Sequence, residues 1–122
     1  MTTYMILIYG DAQQWGAMTD EQWEANHAGH EAFAAKAGAR VLDGRQLEPA
    51  PTATSLRSDA AGGLATTDGP FLETKEALGG YYLVEAGDLD EVLSLAALLP
   101  ELRAAHTGVE IRPLVDHEHQ RP

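Results

Sequence analysis

Two histidines on one predicted helix are the side chains of this sequence best suited to proton transfer. His27 and His30 lie in the segment TDEQWEANHAGHEAFAAKAG, and imidazole is the group that gains and loses a proton near neutral pH. At about 100° per residue, the stripe that carries them consists of Trp23, His27, His30, Ala34 and Ala37, with Phe33 beside it. We expect this stripe to face a sheet and its alanines to leave room for a cavity.

The expected carboxylate partner of His30 is Asp68. This acid ends the short strand LATT and precedes Gly69-Pro70, which turns the chain and could aim the carboxylate. A carboxylate that accepts from one imidazole nitrogen fixes the tautomer and makes the other nitrogen a better base. Asp68 could equally be a turn residue that bonds its own backbone. For His27 we favour a hydrogen-bonded structural role over a chemical one.

A pocket and a metal site are separate expectations for the same helix. The residues expected to wall a ligand pocket are Trp23, His27, Phe33, Tyr81 and Tyr82. His27 and His30 could hold a metal with Asp68, but zinc sites usually show a clearer ligand set, so we predict no metal and no cofactor. The DHEH stretch at 116–119 is a second weak metal pattern, typical of adventitious binding. No dinucleotide fingerprint, P-loop or hydrolase elbow occurs.

Composition limits the classes of function. With 122 residues, 44% of them apolar, and no cysteine, the chain predicts one domain over 1–115, a flexible tail over 116–122 and no disulfides. A formal charge of −11 repels phosphate backbones and anionic lipid, so we expect neither nucleic-acid nor membrane binding. The opening MTTYMILIYGD lacks a basic flank and a cleavage site. We therefore interpret it as a strand of a cytoplasmic protein.

Hydrophobic periodicity predicts the elements that position these side chains. The predicted strands are 3–9, 39–47, 52–58, 64–67, 79–86 and 108–114, of which the third and fourth form a hairpin. A capping box at Thr19 begins one helix and Gly38 ends it, whereas Asp88 begins the other, which Pro100 ends. Residues 11–18 are expected to form a loop. This order predicts an α+β, ferredoxin-like βαββαβ sandwich with an inserted β-hairpin.

The first strand also predicts a homodimer. Its residues are bulky on both faces, Tyr4, Ile6 and Ile8 on one and Met5, Leu7 and Tyr9 on the other. Two helices can cover only one face of the sheet, and a strand that is apolar on both sides expects cover on both. We expect a second copy to pair sheet to sheet; the alternative is that the hairpin folds across the bare face.

The motif TDGPFLETKEALGGYYLVE resembles the signature of the DGPF group of YCII-related proteins. The segments YMILIYGD, AGHEAF, AGARVLDGRQLEP, TATSLR and VEIRPL are similar to the pattern of that group as well, so the resemblance covers nearly the whole chain. It implies a dimeric α+β barrel. It also implies a His–Asp active site, for which His30 in AGHEAF and Asp68 in TDGPF are the matching residues.

Two functional hypotheses follow, and the sequence does not decide whether the chain is an enzyme. In the first, His30 and Asp68 perform acid–base chemistry on a small organic substrate. In the second, which rests on the resemblance, the chain is a non-catalytic regulatory or accessory dimer associated with an extracytoplasmic-function sigma factor. A metal-dependent, oxygenase-like site at His27 and His30 is a third, weaker reading. The substrate and the pathway are not specified by the sequence.

Overall fold

Four antiparallel strands form the sheet on which the rest of the chain is built. The computed structural model describes residues 1–116. Its strands are β1 Thr2–Asp11, β2 Val41–Gln46, β3 Thr54–Ser58, β4 Leu64–Asp68, β5 Glu76–Ala86 and β6 Gly108–Pro113. Its helices are α1 Ala12–Gly16, α2 Asp20–Ala37 and α3 Leu89–Ala96, and short 3₁₀ turns cover Gly38–Arg40, Ala50–Thr52 and Pro100–Arg103.

The strand order confirms the predicted α+β architecture. The main sheet runs β2-β5-β1-β6, so the two central strands are the first and the third of the four, as in a ferredoxin-like sandwich. Within the described residues, β3 and β4 pair only with each other, in a two-stranded sheet inserted in the sequence between β2 and β5. The inserted hairpin was expected, and the structure places it outside the main sheet.

The core lies between this sheet and the helices α2 and α3. Alternate residues of β1 point to opposite faces, and Tyr4 and Ile6 are buried together with Phe33 of α2 and Val92 of α3. Met5, Leu7 and Tyr9 on the other face stay partly exposed. Within residues 1–116 the core helices α2 and α3 therefore cover one face of the sheet, as expected for two helices, and the other face is left without them. The pairing of two copies across that face stays a prediction.

Several boundaries differ from those expected. The expected loop over 11–18 contains the short helix α1, which begins because the Asp11 side chain accepts a hydrogen bond from the Gln13 backbone N–H at 2.9 Å. β5 begins at Glu76, three residues before the predicted start, where it pairs with the end of β1. The DHEH pattern and the predicted tail fall mostly at 117–122, outside the described residues. No helix within residues 1–116 is long and apolar enough to cross a membrane.

Candidate active site

The helix α2 positions the two histidines, and its start is fixed by the predicted capping box. The Thr19 hydroxyl accepts from the Gln22 backbone N–H at 3.1 Å, and the Gln22 side-chain oxygen accepts from the Thr19 N–H at 2.8 Å. Further along the helix, the two histidines differ in exposure. The His27 side chain is 77% exposed and pairs with Glu31 at 2.9 Å, whereas the His30 side chain is only 22% exposed.

Both ring nitrogens of His30 have a hydrogen-bond partner. Nε2 lies 2.9 Å from Oε2 of Glu101, and Nδ1 lies 2.8 Å from the Tyr82 hydroxyl. The same Glu101 oxygen accepts a second hydrogen bond, 2.9 Å long, from the Asn26 side-chain amide. Asn26 and His30 are four residues apart on α2 and therefore lie on one face of the helix. A continuous hydrogen-bonded chain thus joins Glu101, His30 and Tyr82.

Glu101 reaches α2 because a glycine lets its turn approach closely. Glu101 follows Pro100 in the 3₁₀ turn, and its side chain is only 6% exposed. A Cβ on Gly29 would lie 2.9–3.0 Å from three ring carbons of Pro100. Any larger residue at position 29 would therefore push the turn, and Glu101 with it, away from the helix.

Burial and charge act in opposite directions on the Glu101 carboxyl. Burial alone would raise its pKa, but hydrogen bonds from His30 and Asn26 and the charge of His30 outweigh burial, so the pKa is lowered from its ordinary value. For Tyr82 the effects add, because both burial and the negative charge of Glu101 raise the pKa of the phenol. Glu101 is therefore a carboxylate at neutral pH, and Tyr82 keeps its proton.

These protonation states assign the roles of the His30 nitrogens. A carboxylate can only accept, so the His30 Nε2–H donates to Glu101. In the neutral ring Nδ1 then carries no proton, and the Tyr82 O–H donates to it. The arrangement leaves Nδ1 as the basic nitrogen, with the resulting imidazolium stabilised by Glu101 on the opposite side of the ring.

A cleft of about 500 Å³, here called the inner cleft, opens beside His30 and Tyr82. Its lining also includes Glu101, so it borders every member of the hydrogen-bonded chain. The aromatic residues of the lining are Trp15, Trp23, Tyr81 and Tyr82, and its apolar side chains include Ile8, Leu47, Leu78 and Pro49. The volume is that of a site for a small organic molecule.

The expected pocket residues have different surroundings. Trp23, His27, His30, Tyr81 and Tyr82 line the inner cleft. Tyr81 turns its hydroxyl elsewhere, to the Asp43 carboxylate at 3.2 Å. Phe33 is not part of the lining: it is completely buried, and its ring centroid lies 4.6 Å from that of Tyr82. Phe33 supports the pocket from the core, because the buried side of α2 centres on Phe33 and Ala37 rather than on the whole predicted stripe.

Asp68 is not brought to His30. It is an exposed residue at the end of β4, in the hairpin that stands apart from the main sheet, where it pairs with Thr54. In the described part of the chain both His30 nitrogens are held by other residues. The predicted pairing is thus corrected to Glu101, because LATT belongs to the hairpin rather than to the sheet beneath α2. Gly69, at φ 106°, makes the turn that follows Asp68.

Sequence reasoning missed Glu101, Asn26, Trp15 and Gly29. Glu101 lies 71 positions after His30, and no local pattern links them. Its one sequence signal is an acid placed between Leu99 and Leu102, directly after Pro100. The expected helix end at Pro100 is corrected to Ala96, and Pro100 begins the 3₁₀ turn instead. As for metal, residues 1–116 contain no group of three or more histidine or acidic side chains placed to hold an ion.

Comparisons with known proteins agree with this architecture. The model of the YCII-related domain matches residues 2–117. The "Uncharacterized protein R00369" of Rhizobium meliloti (strain 1021) is 33% identical over 114 residues, which is 91% of this chain and 90% of the relative.

One solved structure shares the fold over almost the whole length. It is 5-chloro-2-hydroxyhydroquinone dehydrochlorinase (TftG) from Burkholderia phenoliruptrix AC1100, in complex with 2,5-dihydroxybenzoquinone. The TM-score is 0.52 at 17% identity, over 96% of this chain and 97% of the other. At this identity the likeness concerns the fold alone. The family match and the relative together show that this chain belongs to the YCII-related proteins.

Proposed function

We propose that the protein is a small-molecule enzyme that performs acid–base chemistry in the inner cleft. The observation that carries this proposal is the hydrogen-bonded chain from Glu101 through His30 to the Tyr82 hydroxyl at the cleft wall. A hydroxyl group of the substrate donates to the Tyr82 oxygen. The substrate proton passes to the Tyr82 oxygen as the Tyr82 proton moves to His30 Nδ1. Tyr82 thus remains a phenol, and the step leaves a substrate oxyanion in the cleft and an imidazolium beside Glu101.

Each residue has one role in this step. Tyr82 contacts the substrate and passes the proton, His30 is the base that receives it, and Glu101 is a positioning residue that fixes the tautomer. Asn26 holds Glu101 in place by its second hydrogen bond. The likeness in fold to a dehydrochlorinase is consistent with a role of this kind, although it does not specify the reaction.

The test is an activity assay with matched variants. Chloride release from 5-chloro-2-hydroxyhydroquinone, the compound for which TftG is named, is the first assay. Deuterium uptake at a ring carbon of an unchlorinated phenol is the second; it follows when the oxyanion, once formed, is reprotonated on carbon in heavy water. We expect His30→Ala and Glu101→Gln each to lower turnover by about a hundredfold or more. Glu31→Gln, which alters the exposed pair with His27, serves as the control and keeps turnover within about twofold.

Asp68→Asn distinguishes the two carboxylates. We expect it to retain most of the turnover, because Asp68 is exposed and apart from His30. Loss of turnover in Asp68→Asn together with normal turnover in Glu101→Gln would restore the original pairing and overturn this proposal. Absence of turnover by the wild type in both assays would favour the regulatory alternative, a non-catalytic dimer linked to a sigma factor, for which pull-down of a sigma factor is the corresponding measurement.

Two further assignments belong to the proposal. The DGPF sequence at 68–71 supports placing the chain in the DGPF group of the family. We also propose that two copies pair through the open face of the sheet, in a cytoplasmic homodimer. The face supports this pairing: its middle is apolar, and its three acids (Asp43, Glu85 and Glu110) are largely offset by Arg45 and Arg112, in a chain whose total charge is −11.

A further inference from the structure

We propose that the inner cleft selects a planar, uncharged aromatic or conjugated ring that carries a hydroxyl group. This inference names the substrate class of the proposed enzyme and rests on that function for the hydroxyl contact. The preference for a planar, uncharged ring is inferred instead from the aromatic side chains that line the cleft and from the charged groups beside them.

Glycines of the sheet let two aromatic side chains of the cleft lie directly on the main chain. A Cβ on Gly79 of β5 would lie 2.6 Å from the Trp15 ring, and a Cβ on Gly44 of β2 would lie 2.5 Å from the Tyr82 ring. Both aromatic rings therefore lie against bare main chain. Gly80, which follows Gly79 in β5, also lines the cleft. The sheet thus contributes the main chain of Gly80 to the lining, beside the side chains of Ile8 and Leu78.

The walls suit a ring more than a flexible chain. Trp23 of α2 lines the side of the cleft formed by the helix, while Trp15 and Tyr82 lie at the sheet. Aromatic pairs with ring centroids about 4.5–7 Å apart contribute about 0.5–1.5 kcal/mol beyond the area they bury. A planar ligand fits against an aromatic face of the lining, such as that of the partly exposed Trp23, more closely than a puckered ring of the same size does.

The charges of the cleft disfavour an anion. Glu48 and Glu101 both line it, and Glu101 is a buried carboxylate. Arg45 is the one lysine or arginine of the lining, but its register with Tyr81 places its side chain on the open face of the sheet. There its guanidinium contacts the Asp43 carboxylate at 3.4 Å and the Gly44 carbonyl at 3.1 Å. His27 is paired with Glu31, and His30 with Glu101, so a carboxylate ligand at a neutral His30 would meet more repulsion than attraction, in a chain of net charge −11.

The hydrogen bond between Tyr82 and His30 determines whether the ligand must donate or accept a hydrogen bond at the Tyr82 oxygen. The Tyr82 proton is used in the bond to His30 Nδ1, so the phenol oxygen offers lone pairs to the cleft. A matching ligand must donate a hydrogen bond there. A hydroxyl group does so, and an ether at the same place does not.

A binding experiment with four probes separates these requirements. The chain contains two tryptophans, and both line the inner cleft, so their two indole N–H signals in an ¹⁵N NMR spectrum report on ligand binding. The probes are resorcinol, cyclohexane-1,3-diol (not planar), 1,3-dimethoxybenzene (no donor) and 3-hydroxybenzoate (an anion at pH 7). We expect resorcinol to move both signals saturably and to bind about tenfold more tightly than any of the others.

Two glycine variants provide the structural control. Gly79→Ala pushes the Trp15 ring from its place and should weaken resorcinol binding by about fivefold or more. Gly108→Ala lies where no atom falls within 4 Å of the new methyl group, so it should leave binding unchanged. Trp15→Leu removes the ring without crowding the backbone and should weaken resorcinol binding to the same extent. It replaces Gly79→Ala in the test if that variant does not fold.

The outcomes that overturn the inference differ from those that overturn the proposed function. If cyclohexane-1,3-diol binds as tightly as resorcinol, the cleft does not require a planar ring. If 1,3-dimethoxybenzene binds as tightly as resorcinol, the ligand need not donate a hydrogen bond. If 3-hydroxybenzoate binds more tightly than resorcinol, the cleft does not prefer an uncharged ligand. Failure of resorcinol to bind contradicts the inference as a whole. The proposed acid–base function is tested separately, by the turnover of the His30 and Glu101 variants.

Discussion

At the scale of single residues, one buried carboxylate oxygen receives both hydrogen bonds that hold the site together. Asn26 and His30 donate to Oε2 of Glu101, while Oε1 is buried and has no hydrogen-bond partner within residues 1–116. A buried charge with few donors depends strongly on each of them. The stability of the fold and the state of His30 are therefore coupled through Glu101.

This coupling predicts a pH-dependent effect of Glu101→Gln on stability. The folded-state pKa of Glu101 lies below its unfolded value, so the carboxylate stabilises the fold above the unfolded pKa, about 4.3. Its contribution is lost as the pH falls through the lower, folded-state pKa. In urea unfolding at pH 7 we expect Glu101→Gln to be less stable than the wild type by about 1–3 kcal/mol, and this difference should shrink in acid.

The control for this measurement is again Glu31→Gln, which should change stability by less than about 0.5 kcal/mol because its carboxylate is exposed. A Glu101→Gln protein as stable as the wild type at pH 7 would contradict the account. So would a difference in stability that stays the same through the acid range.

At the scale of secondary-structure elements, the site depends on how closely the 3₁₀ turn approaches α2. Intrinsic helix propensity predicts that Gly29→Ala stabilises a helix by about 1 kcal/mol. The structure predicts the opposite sign, because the new methyl group would meet the rigid Pro100 ring at 2.9–3.0 Å. We expect Gly29→Ala to unfold at a lower urea concentration.

Gly16→Ala is the matched control, since no atom lies within 4 Å of the added methyl group in the helix α1. It should leave the midpoint unchanged or raise it slightly. Because Gly29→Ala would also move Glu101, the hydrogen-bonded His30 Nε2–H should exchange faster with solvent in that variant. A stabilised Gly29→Ala protein with unchanged exchange would show that the turn is not held in contact with the helix.

The elements were predictable from the sequence to a greater extent than the contacts between them. Capping at Thr19 and the alternation in β1 are local signals, and they correctly predicted a helix and a strand that is bulky on both faces. The pairing of His30 was not local. The residues of the strand that ends at Asp68 are compatible with a place in the main sheet and with a place in a separate hairpin. Tertiary packing, rather than the local sequence, determines that this strand lies in the hairpin.

The candidate site shows the same limit. The wheel put His30 and Trp23 on one side of α2, and both line the inner cleft, but it could not tell that Phe33 turns fully into the core. Trp15 was overlooked because it lies in an expected loop. Its contact with Gly79 joins positions 64 residues apart in the sequence, which periodicity cannot report.

At the scale of the whole molecule, the open face of the sheet predicts self-association. Leu7 lies in the middle of that face, opposite Tyr81 and Glu110 on its neighbouring strands. We expect the wild type to be a dimer by light scattering after gel filtration, and Leu7→Glu to be a monomer, because the new charge would be buried between two apolar surfaces.

Leu89→Glu is the control, since Leu89 is 49% exposed at the start of the helix α3. It should remain a dimer. Leu83→Glu, on the same open face as Leu7, repeats the test if Leu7→Glu loses its circular dichroism spectrum. A monomeric wild type, or a dimeric and folded Leu7→Glu, would contradict pairing through this face.

The tautomer of His30 in the whole, unmodified protein tests the central claim most directly. Ring ¹⁵N chemical shifts, recorded at a pH where the imidazole is neutral, distinguish a proton on Nε2 from a proton on Nδ1. We predict the Nε2–H form, with Nδ1 unprotonated and bonded to Tyr82, and a mixture of both forms in Glu101→Gln. A wild-type ring protonated on Nδ1, or one whose tautomer is unaffected by Glu101→Gln, would show that Glu101 does not prepare His30 as a base.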